Sequence, residues 1–198
     1  FGLELHLVGR AERRPLPEEW IRLWSDDRRR LKVTVMDAAR ADGKNPVKAW
    51  EQTQKLLEIE ETLAQLGRRG ISAFYHACDV SDRETLSRVL DEIRTHGPID
   101  GILHGAGASR DARFADKDPV RVDQCYRAKV DGTLALMELT RSDPLRFFVA
   151  FGSVSGRFGA NGHADYSSAN DMMAKEVDWY RGQRPEVAAV TFHWHAWG

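Results

Sequence analysis

Residues 147–181 read FFVAFGSVSGRFGANGHADYSSANDMMAKEVDWYR, and this stretch decides the fold. The five apolar residues 147–151 predict a strand that is buried on both faces, as in a parallel sheet. A glycine-rich loop over 152–164 follows, and the segment from Tyr166 to Arg181 is predicted as a helix. A buried strand, a loop and a helix in succession form the repeating unit of α/β proteins.

The same alternation extends in both directions along the chain. It predicts strands at 3–8, 71–77, 99–104 and 187–194 and helices at 83–96 and 120–141. Strands that alternate with helices form a parallel sheet. We therefore predict an α/β fold, a Rossmann-like parallel sheet with helices on both faces.

Residues 11–70 depart from this alternation. Pro15 and Pro17 open a helical stretch that the charged run 26–30 interrupts, and a second helix has an apolar stripe over 49–66. We interpret about 11–70 as a helical insert in one partial domain, 1–198. Its tryptophans either complete the domain's own core or anchor a neighbouring domain: Trp20, Trp24 and Trp50.

Composition limits the class of protein. The 198 residues carry 29 Lys plus Arg against 30 Asp plus Glu, a net charge of -1 that argues against nucleic acid or an anionic membrane as partner. No apolar run reaches the ~20 residues of a transmembrane helix. The two cysteines, Cys78 and Cys125, suggest no disulfide framework and favour a reducing, cytoplasmic compartment.

Candidate functional residues gather at the predicted strand ends, where parallel sheets bind their ligands. Asp79 ends one strand, the turn 105–107 follows another, Ser153 ends a third, and Tyr166 opens the helix after it. Singly, each has an ordinary interpretation as a turn residue or a half-buried helix residue. Reduction of a carbonyl would need a hydride from a nicotinamide, a phenol as proton donor, a nearby cation and a hydroxyl for the oxyanion. Tyr166, Lys129 and Ser153 fit the last three needs.

Residues 100–198 resemble the ketoreductase domains of modular polyketide synthases and related polyunsaturated fatty-acid synthases, in the short-chain dehydrogenase superfamily. The resemblance is carried by four motifs: ILHGAG at 102–107, KVDG at 129–132, FGSVSG at 151–156 and DYSSAND at 165–171. Ser153 precedes Tyr166 by 13 positions and Lys129 precedes it by 37. Free-standing relatives have a Tyr-x-x-x-Lys pattern, whereas here Asn170 follows Tyr166 and Lys129 lies on the earlier helix. This exchange resembles the synthase domains.

The resemblance implies an NADPH-dependent reduction of a 3-ketoacyl thioester, held on an acyl carrier protein, to the 3-hydroxyacyl thioester. It implies that Tyr166 donates the proton, Ser153 binds the substrate oxygen, and Lys129 tunes Tyr166 and contacts the nicotinamide ribose. Asn170 would support the lysine or a relay water. The implied partners are the carrier protein and neighbouring synthase domains, and no metal is expected.

The resemblance also implies a set of cofactor-binding residues. Arg10 matches the position that holds the 2′-phosphate of NADPH, which a guanidinium can grip with two hydrogen bonds. The remaining implied contacts are Asp79, Val80, Gly105, Ala106, Gly107, Lys129 and Tyr166.

Several features depart from the family pattern. The glycine-rich phosphate loop and the substrate lid are missing, so we expect the first βα unit and the lid to lie outside this stretch. Residues 109–111 stand where one stereochemical class has Leu-Asp-Asp, and Asp111 alone matches. His193 and His195 alternate on a strand without a third metal ligand, which favours packing or a place beside the cofactor. Two alternatives stay open: a non-catalytic structural half-domain of a synthase, and a free-standing dehydrogenase.

Overall fold

The structure, a computed structural model, describes residues 2–108 and 111–195 and divides the chain into two compact units, Phe1–Ala77 and Cys78–Gly198. The first unit contains β1 (Glu4–Gly9), α1 (Glu18–Asp26), α2 (Arg28–Ala41), α3 (Pro46–Arg68) and β2 (Ser72–Ala77). The second contains α4 (Arg83–Arg94), β3 (Gly101–His104), α5 (Pro119–Tyr126), α6 (Gly132–Leu139), β4 (Phe147–Ser153), α7 (Ser155–Phe158), α8 (Ala164–Gln183) and β5 (Ala188–Trp194). All the strand pairs are parallel, so the predicted α/β class is confirmed.

The first unit joins two parallel strands to three helices. β1 pairs with β2 from Glu4 opposite Ser72 to Gly9 opposite Ala77. The helices enclose a cluster in which Leu31 and Leu57 are 0% and 1% exposed. Trp24 is buried in this cluster, and Trp20 and Trp50 pack against it. The three tryptophans thus contribute to the core of their own unit, while the interpretation of 11–70 as an insert stays a prediction.

Capping explains where the helices of this region begin. Within the charged run 26–30, the Asp27 carboxylate accepts the backbone N–H of Arg30 at 2.9 Å and caps α2. Asn45 caps α3 in the same way through the N–H of Lys48, with Pro46 in the first turn. The charged run is therefore a boundary between two helices, not an unstructured interruption.

The second unit is a three-stranded parallel sheet in the order β3-β4-β5. Ile102 lies opposite Phe148, and Ala150 lies opposite Thr191. Helix α8 packs on β4 and β5, and the core contains the fully buried Phe148 and Met173. β4 extends three residues beyond the last β3 pair, so Ser153 projects past the end of β3 at the carboxyl edge of the sheet.

Two segments of the second unit differ from the sequence prediction. The helix predicted over 120–141 is interrupted by a π turn, Arg127–Asp131, between α5 and α6. The short helix α7 lies inside the segment 152–164 that was predicted as a loop. Among the described residues, no helix combines the length and the apolar character that crossing a membrane requires.

Candidate active site

Lys129 lies in the π turn and is 4% exposed. Its Nζ donates a hydrogen bond to the carbonyl oxygen of Phe151, 2.7 Å away, near the end of β4. A charged amine at this depth is expensive unless it is hydrogen-bonded. The bond to Phe151 therefore fixes the lysine amine at the carboxyl edge of the sheet, two residues before the end of β4.

The Lys129 side chain also approaches the tyrosine and the glycine turn that the sequence singled out. Its Nζ lies 6.0 Å from the centre of the Tyr166 ring. A Cβ on Gly107 would lie 2.9 Å from the lysine Cε, closer than ordinary packing allows. Gly107 therefore permits the backbone to pass beside the lysine, which is a reason for glycine at this position.

The environment of Lys129 changes its acid–base behaviour. Burial lowers the pKa of Lys129 from 10.5 to about 8. The amine is thus still mostly charged at pH 7 but titrates within reach of physiological pH. A cation of this kind, 6.0 Å from the centre of the Tyr166 ring, would stabilise negative charge if it developed on the phenol oxygen.

Tyr166 and Asn170 are linked on the first turns of α8. The Asn170 Nδ2 donates to the Tyr166 carbonyl oxygen at 2.7 Å, and Asn170 is 0% exposed. Its Oδ1 is buried without a hydrogen-bond partner among the described residues. A Cβ on Gly156 would lie 3.0 Å from the Asn170 Cβ, so α7 packs closely on this residue. Asn170 therefore presents a buried acceptor that a donor from outside the described chain can satisfy.

Ser153 ends β4 and belongs to a small polar group. Its Oγ lies 2.9 Å from the Oγ of the buried Ser155 and accepts the Ser155 backbone N–H at 3.2 Å. The carbonyl of Ser153 accepts from the His193 Nδ1 at 3.1 Å, while Arg157 Nε donates to the His193 Nε2. Both ring nitrogens of His193 are thus engaged by the protein, in keeping with packing. His195 is exposed.

The predicted cofactor residues fall in both units. In the second unit, Asp79 Oδ1 accepts both the N–H and the hydroxyl of Ser81, which orders the turn before α4. Val80 packs so closely on α6 that a Cβ on Gly132 would lie 2.7 Å from its Cγ2. Gly105 is exposed and Ala106 half-buried after β3. In the first unit, Arg10 is exposed directly after β1.

Two features of this site were not found from the sequence. The buried ion pair of Lys117 and Asp165, 2.6 Å apart, ties the segment before α5 to the residue that precedes Tyr166, and Lys117 also donates to the Gly162 carbonyl. His104, at the end of β3, is 2% exposed and lies against the π turn. Neither has a spacing signal, because each depends on contacts between distant segments. Of residues 109–111, only Asp111 lies within the described chain, where its carboxylate is 2.6 Å from His163.

The residues of the second unit fit a nicotinamide cofactor. Lys129 has three N–H groups and donates one to Phe151, which leaves donors for ribose hydroxyls. The exposed glycines 105 and 107 leave the backbone open beside that amine. When bound, a nicotinamide supplies the hydride that no side chain can provide.

Comparisons with known proteins agree with this geometry. The family model of the KR domain matches residues 51–198. The chain is 35% identical to mycoketide-CoA synthase of Mycobacterium tuberculosis over 137 residues, an alignment that covers 69% of this chain. It is 32% identical to polyketide synthase GfsB of Streptomyces halstedii over 196 residues, an alignment that covers 96% of this chain. The chain spans 3% of the length of each of these two relatives.

Solved ketoreductases have a similar fold. A ketoreductase domain from the bacillaene assembly line superposes with a TM-score of 0.66 at 25% identity, over 98% of this chain and 38% of that one. An N-terminal ketoreductase from the macrolactin assembly line gives a TM-score of 0.66 at 30% identity, over 71% of this chain and 29% of that one. The predicted resemblance is confirmed: the chain belongs to the KR family, the ketoreductase domains of polyketide synthases within the short-chain dehydrogenase superfamily.

Proposed function

We propose that this chain carries the catalytic residues for NADPH-dependent reduction of a 3-ketoacyl thioester, held on an acyl carrier protein, within a polyketide or fatty-acid synthase. The observation that carries the proposal is the placement of Lys129. The amine is buried, is fixed by the Phe151 carbonyl at 2.7 Å and lies 6.0 Å from the Tyr166 ring. A buried cation beside a tyrosine lowers stability, and acid–base catalysis gives it a function that a non-catalytic structural half-domain does not require.

The residues divide the work of the reduction. When bound, NADPH would supply a hydride to the C3 carbonyl carbon of the substrate, and the residues of this chain act on the carbonyl oxygen, which would gain the electron pair of the C=O bond. That oxygen takes the phenol proton of Tyr166, which yields the 3-hydroxyacyl thioester and NADP⁺. The charge left on the Tyr166 oxygen is stabilised by the Lys129 ammonium.

Ser153 and Asn170 support this transfer. The Ser153 hydroxyl projects past the end of β3 and can donate to the substrate oxygen as charge develops there. The buried Oδ1 of Asn170, which has no hydrogen-bond partner among the described residues, would accept from a water that returns a proton to Tyr166. Both roles use groups that the structure holds by short hydrogen bonds.

Cofactor choice and partners complete the proposal. We assign the 2′-phosphate of NADPH to Arg10, because a guanidinium matches phosphate geometry. The adenine contacts are assigned to Asp79 and Val80. The glycine turn at 105–107 is assigned the role of letting the protein backbone pass close to the cofactor. The synthase relatives support neighbouring synthase domains as partners. Both cysteines are free and buried, in keeping with a reducing, cytoplasmic compartment.

The proposal is tested with a tyrosine pair on one helix. Tyr166→Phe removes the proton donor, so NADPH oxidation by the full-length protein with a 3-ketoacyl thioester should fall at least about 100-fold. Tyr180→Phe removes another buried hydroxyl about 20 Å further along α8 and should retain the rate of the unsubstituted protein. Near-normal turnover by Tyr166→Phe, with its fold intact by circular dichroism, would contradict the assignment.

A further inference from the structure

His104 is a buried residue without a role in the proposed reaction. It is the last residue of β3, is 2% exposed and is hydrogen-bonded to the backbone of Ala128 and Lys129. Burial lowers the pKa of His104 to about 4, so the ring is neutral at pH 7 and carries one N–H. Since Nε2 has no partner among the described residues, we assign that proton, and with it the bonds to the Ala128 and Lys129 carbonyls, to Nδ1.

The π turn explains why the Ala128 carbonyl needs a side-chain donor. The backbone N–H of Gly132 donates to the Arg127 carbonyl, five residues back. In an α-helix the same N–H would serve Ala128, so the Ala128 carbonyl loses its usual donor. A buried carbonyl without a donor is unfavourable, and the His104 ring supplies one. The Lys129 carbonyl also accepts from the Thr133 hydroxyl at 2.5 Å.

The π turn in turn sets the direction of Lys129. One extra residue in a helical turn changes the direction of the side chains that follow by about 100°. The turn is closely packed, since a Cβ on Gly132 would lie 2.7 Å from Val80 Cγ2 and 3.5 Å from His104 Cε1. If the turn relaxed to an α-helix, the Lys129 amine would leave the Phe151 carbonyl.

We propose that His104 is a positioning residue: its neutral ring donates to the carbonyls of Ala128 and Lys129 and so holds the π turn that aims Lys129 at Phe151 and Tyr166. This inference rests on the proposed function for the meaning of the lysine's position. It makes a chemical distinction between replacements. The Nδ2 of an asparagine lies where the histidine Nδ1 lies and can donate to the same carbonyls, whereas a leucine fills the space and donates nothing.

The experiment compares His104→Asn and His104→Leu in the full-length protein, with Thr140→Val as a matched control. Thr140 is buried, and its hydroxyl donates to the Leu136 carbonyl at 2.7 Å, so its replacement removes a similar bond just after α6, away from the π turn. Steady-state kinetics with NADPH and a 3-ketobutyryl N-acetylcysteamine thioester give kcat and KM. Competitive acetylation of Lys129, followed by mass spectrometry across pH, reports the lysine independently of turnover.

His104→Leu should lower kcat about 30- to 100-fold, because a displacement of about 1 Å in a catalytic group has effects of that size. It should also shift the pH dependence of Lys129 acetylation. His104→Asn should recover kcat to within about fivefold of the unsubstituted protein, and Thr140→Val should change neither property. Unchanged kcat and acetylation in His104→Leu would overturn the inference. Equal losses in the Leu and Asn variants would also overturn it, since ring volume would then be the cause.

A second measurement uses the unsubstituted protein, so it does not depend on whether a variant folds. With ¹⁵N-labelled histidine, the ring shifts of His104 at pH 7 should show a protonated Nδ1 and a bare Nε2, and either the opposite tautomer or a doubly protonated ring overturns the inference. A protein that reduces no 3-ketoacyl thioester overturns the proposed function instead. The acetylation and tautomer results then decide the positioning role by themselves.

Discussion

Lys129 is an amine enclosed by protein, and enclosure of a charge lowers stability. Because burial lowers its pKa to about 8, the folded state binds fewer protons than the unfolded state between about pH 8 and 10.5. Stability contributed at this residue therefore increases as the pH rises through that window. At pH 7 the fold bears the full cost of the buried ammonium.

We accordingly predict that Lys129→Met stabilises the fold while it removes activity. At pH 7 the free energy of unfolding should increase by about 1–3 kcal/mol, since a pKa unit corresponds to about 1.4 kcal/mol and an apolar chain of similar length refills the site. At pH 10 the gain should be smaller. Urea unfolding at the two pH values measures it, and a gain that does not depend on pH would show that burial does not lower the pKa of Lys129.

At the scale of the residue, the sequence predicted the residues that meet at the candidate site but not the buried residues that hold them in position. The spacing of Lys129, Tyr166 and Asn170 identified residues that the structure does bring together. His104 and Lys117 were missed, because a histidine at a strand end and a lysine in a loop look ordinary until distant segments meet. The catalytic and cofactor roles of the whole set remain proposals.

At the scale of the element, the interrupted helix over 120–141 is the most informative difference from the sequence prediction. The sequence pattern is compatible with one continuous helix, and no local signal marks the turn at Arg127–Asp131. In the turn, the Lys129 carbonyl accepts from the Thr133 hydroxyl at the start of α6, and His104 supplies a donor from a distant segment, β3. Periodicity in sequence records the face that a helix buries, but it does not record such side-chain donors.

Besides Lys129 in the π turn, another ionisable group has an unusual pKa: Glu176 in helix α8. Burial and then the nearby Asp131 raise the pKa of Glu176 to about 8, and its Oε2 is buried without a partner among the described residues. Between about pH 4.5 and 8 the folded state binds more protons here than the unfolded state, so stability at this residue falls as the pH rises.

Glu176→Gln should remove this dependence. The variant should be more stable than the unsubstituted protein at pH 8.5, by about 1–2 kcal/mol, and little different at pH 4.5. Thermal unfolding followed by circular dichroism at the two pH values gives the comparison. Glu186→Gln is a suitable control, because Glu186 is exposed and its pKa is lowered by Arg184 rather than raised. The same stability difference at both pH values would contradict the prediction.

At the scale of the whole molecule, the chain divides into two compact units. The α/β class and the order of strands and helices could be predicted from sequence, because alternation and apolar runs are local signals. The split of the strands into a two-stranded and a three-stranded sheet could not, since it depends on hydrogen bonds between distant segments. In the first unit, Trp24 joins core packing to polar contacts, with its Nε1 donating to Glu61 at 2.8 Å and Arg28 stacked 4.0 Å from its ring.

Trp24→Ala should therefore destabilise the first unit by about 3–5 kcal/mol, the usual cost of emptying an aromatic core position. Hydrogen exchange read by mass spectrometry should show the loss in peptides from α1, α2 and α3. Trp179→Ala is the control, because Trp179 is 60% exposed and contributes little to a core. Equal protection of the first unit in both variants would contradict the core assignment.

We propose above all that the protein containing this chain reduces a 3-ketoacyl thioester with a hydride from NADPH and a proton from Tyr166. The most direct measurement uses NADPH deuterated at the transferred C4 position and mass spectrometry of the thioester product. The full-length protein should yield a 3-hydroxyacyl thioester with one deuterium at C3, and Tyr166→Phe should yield at least about 100-fold less in the same time. No deuterium in the product of the unsubstituted protein, or equal incorporation by Tyr166→Phe, would contradict the account.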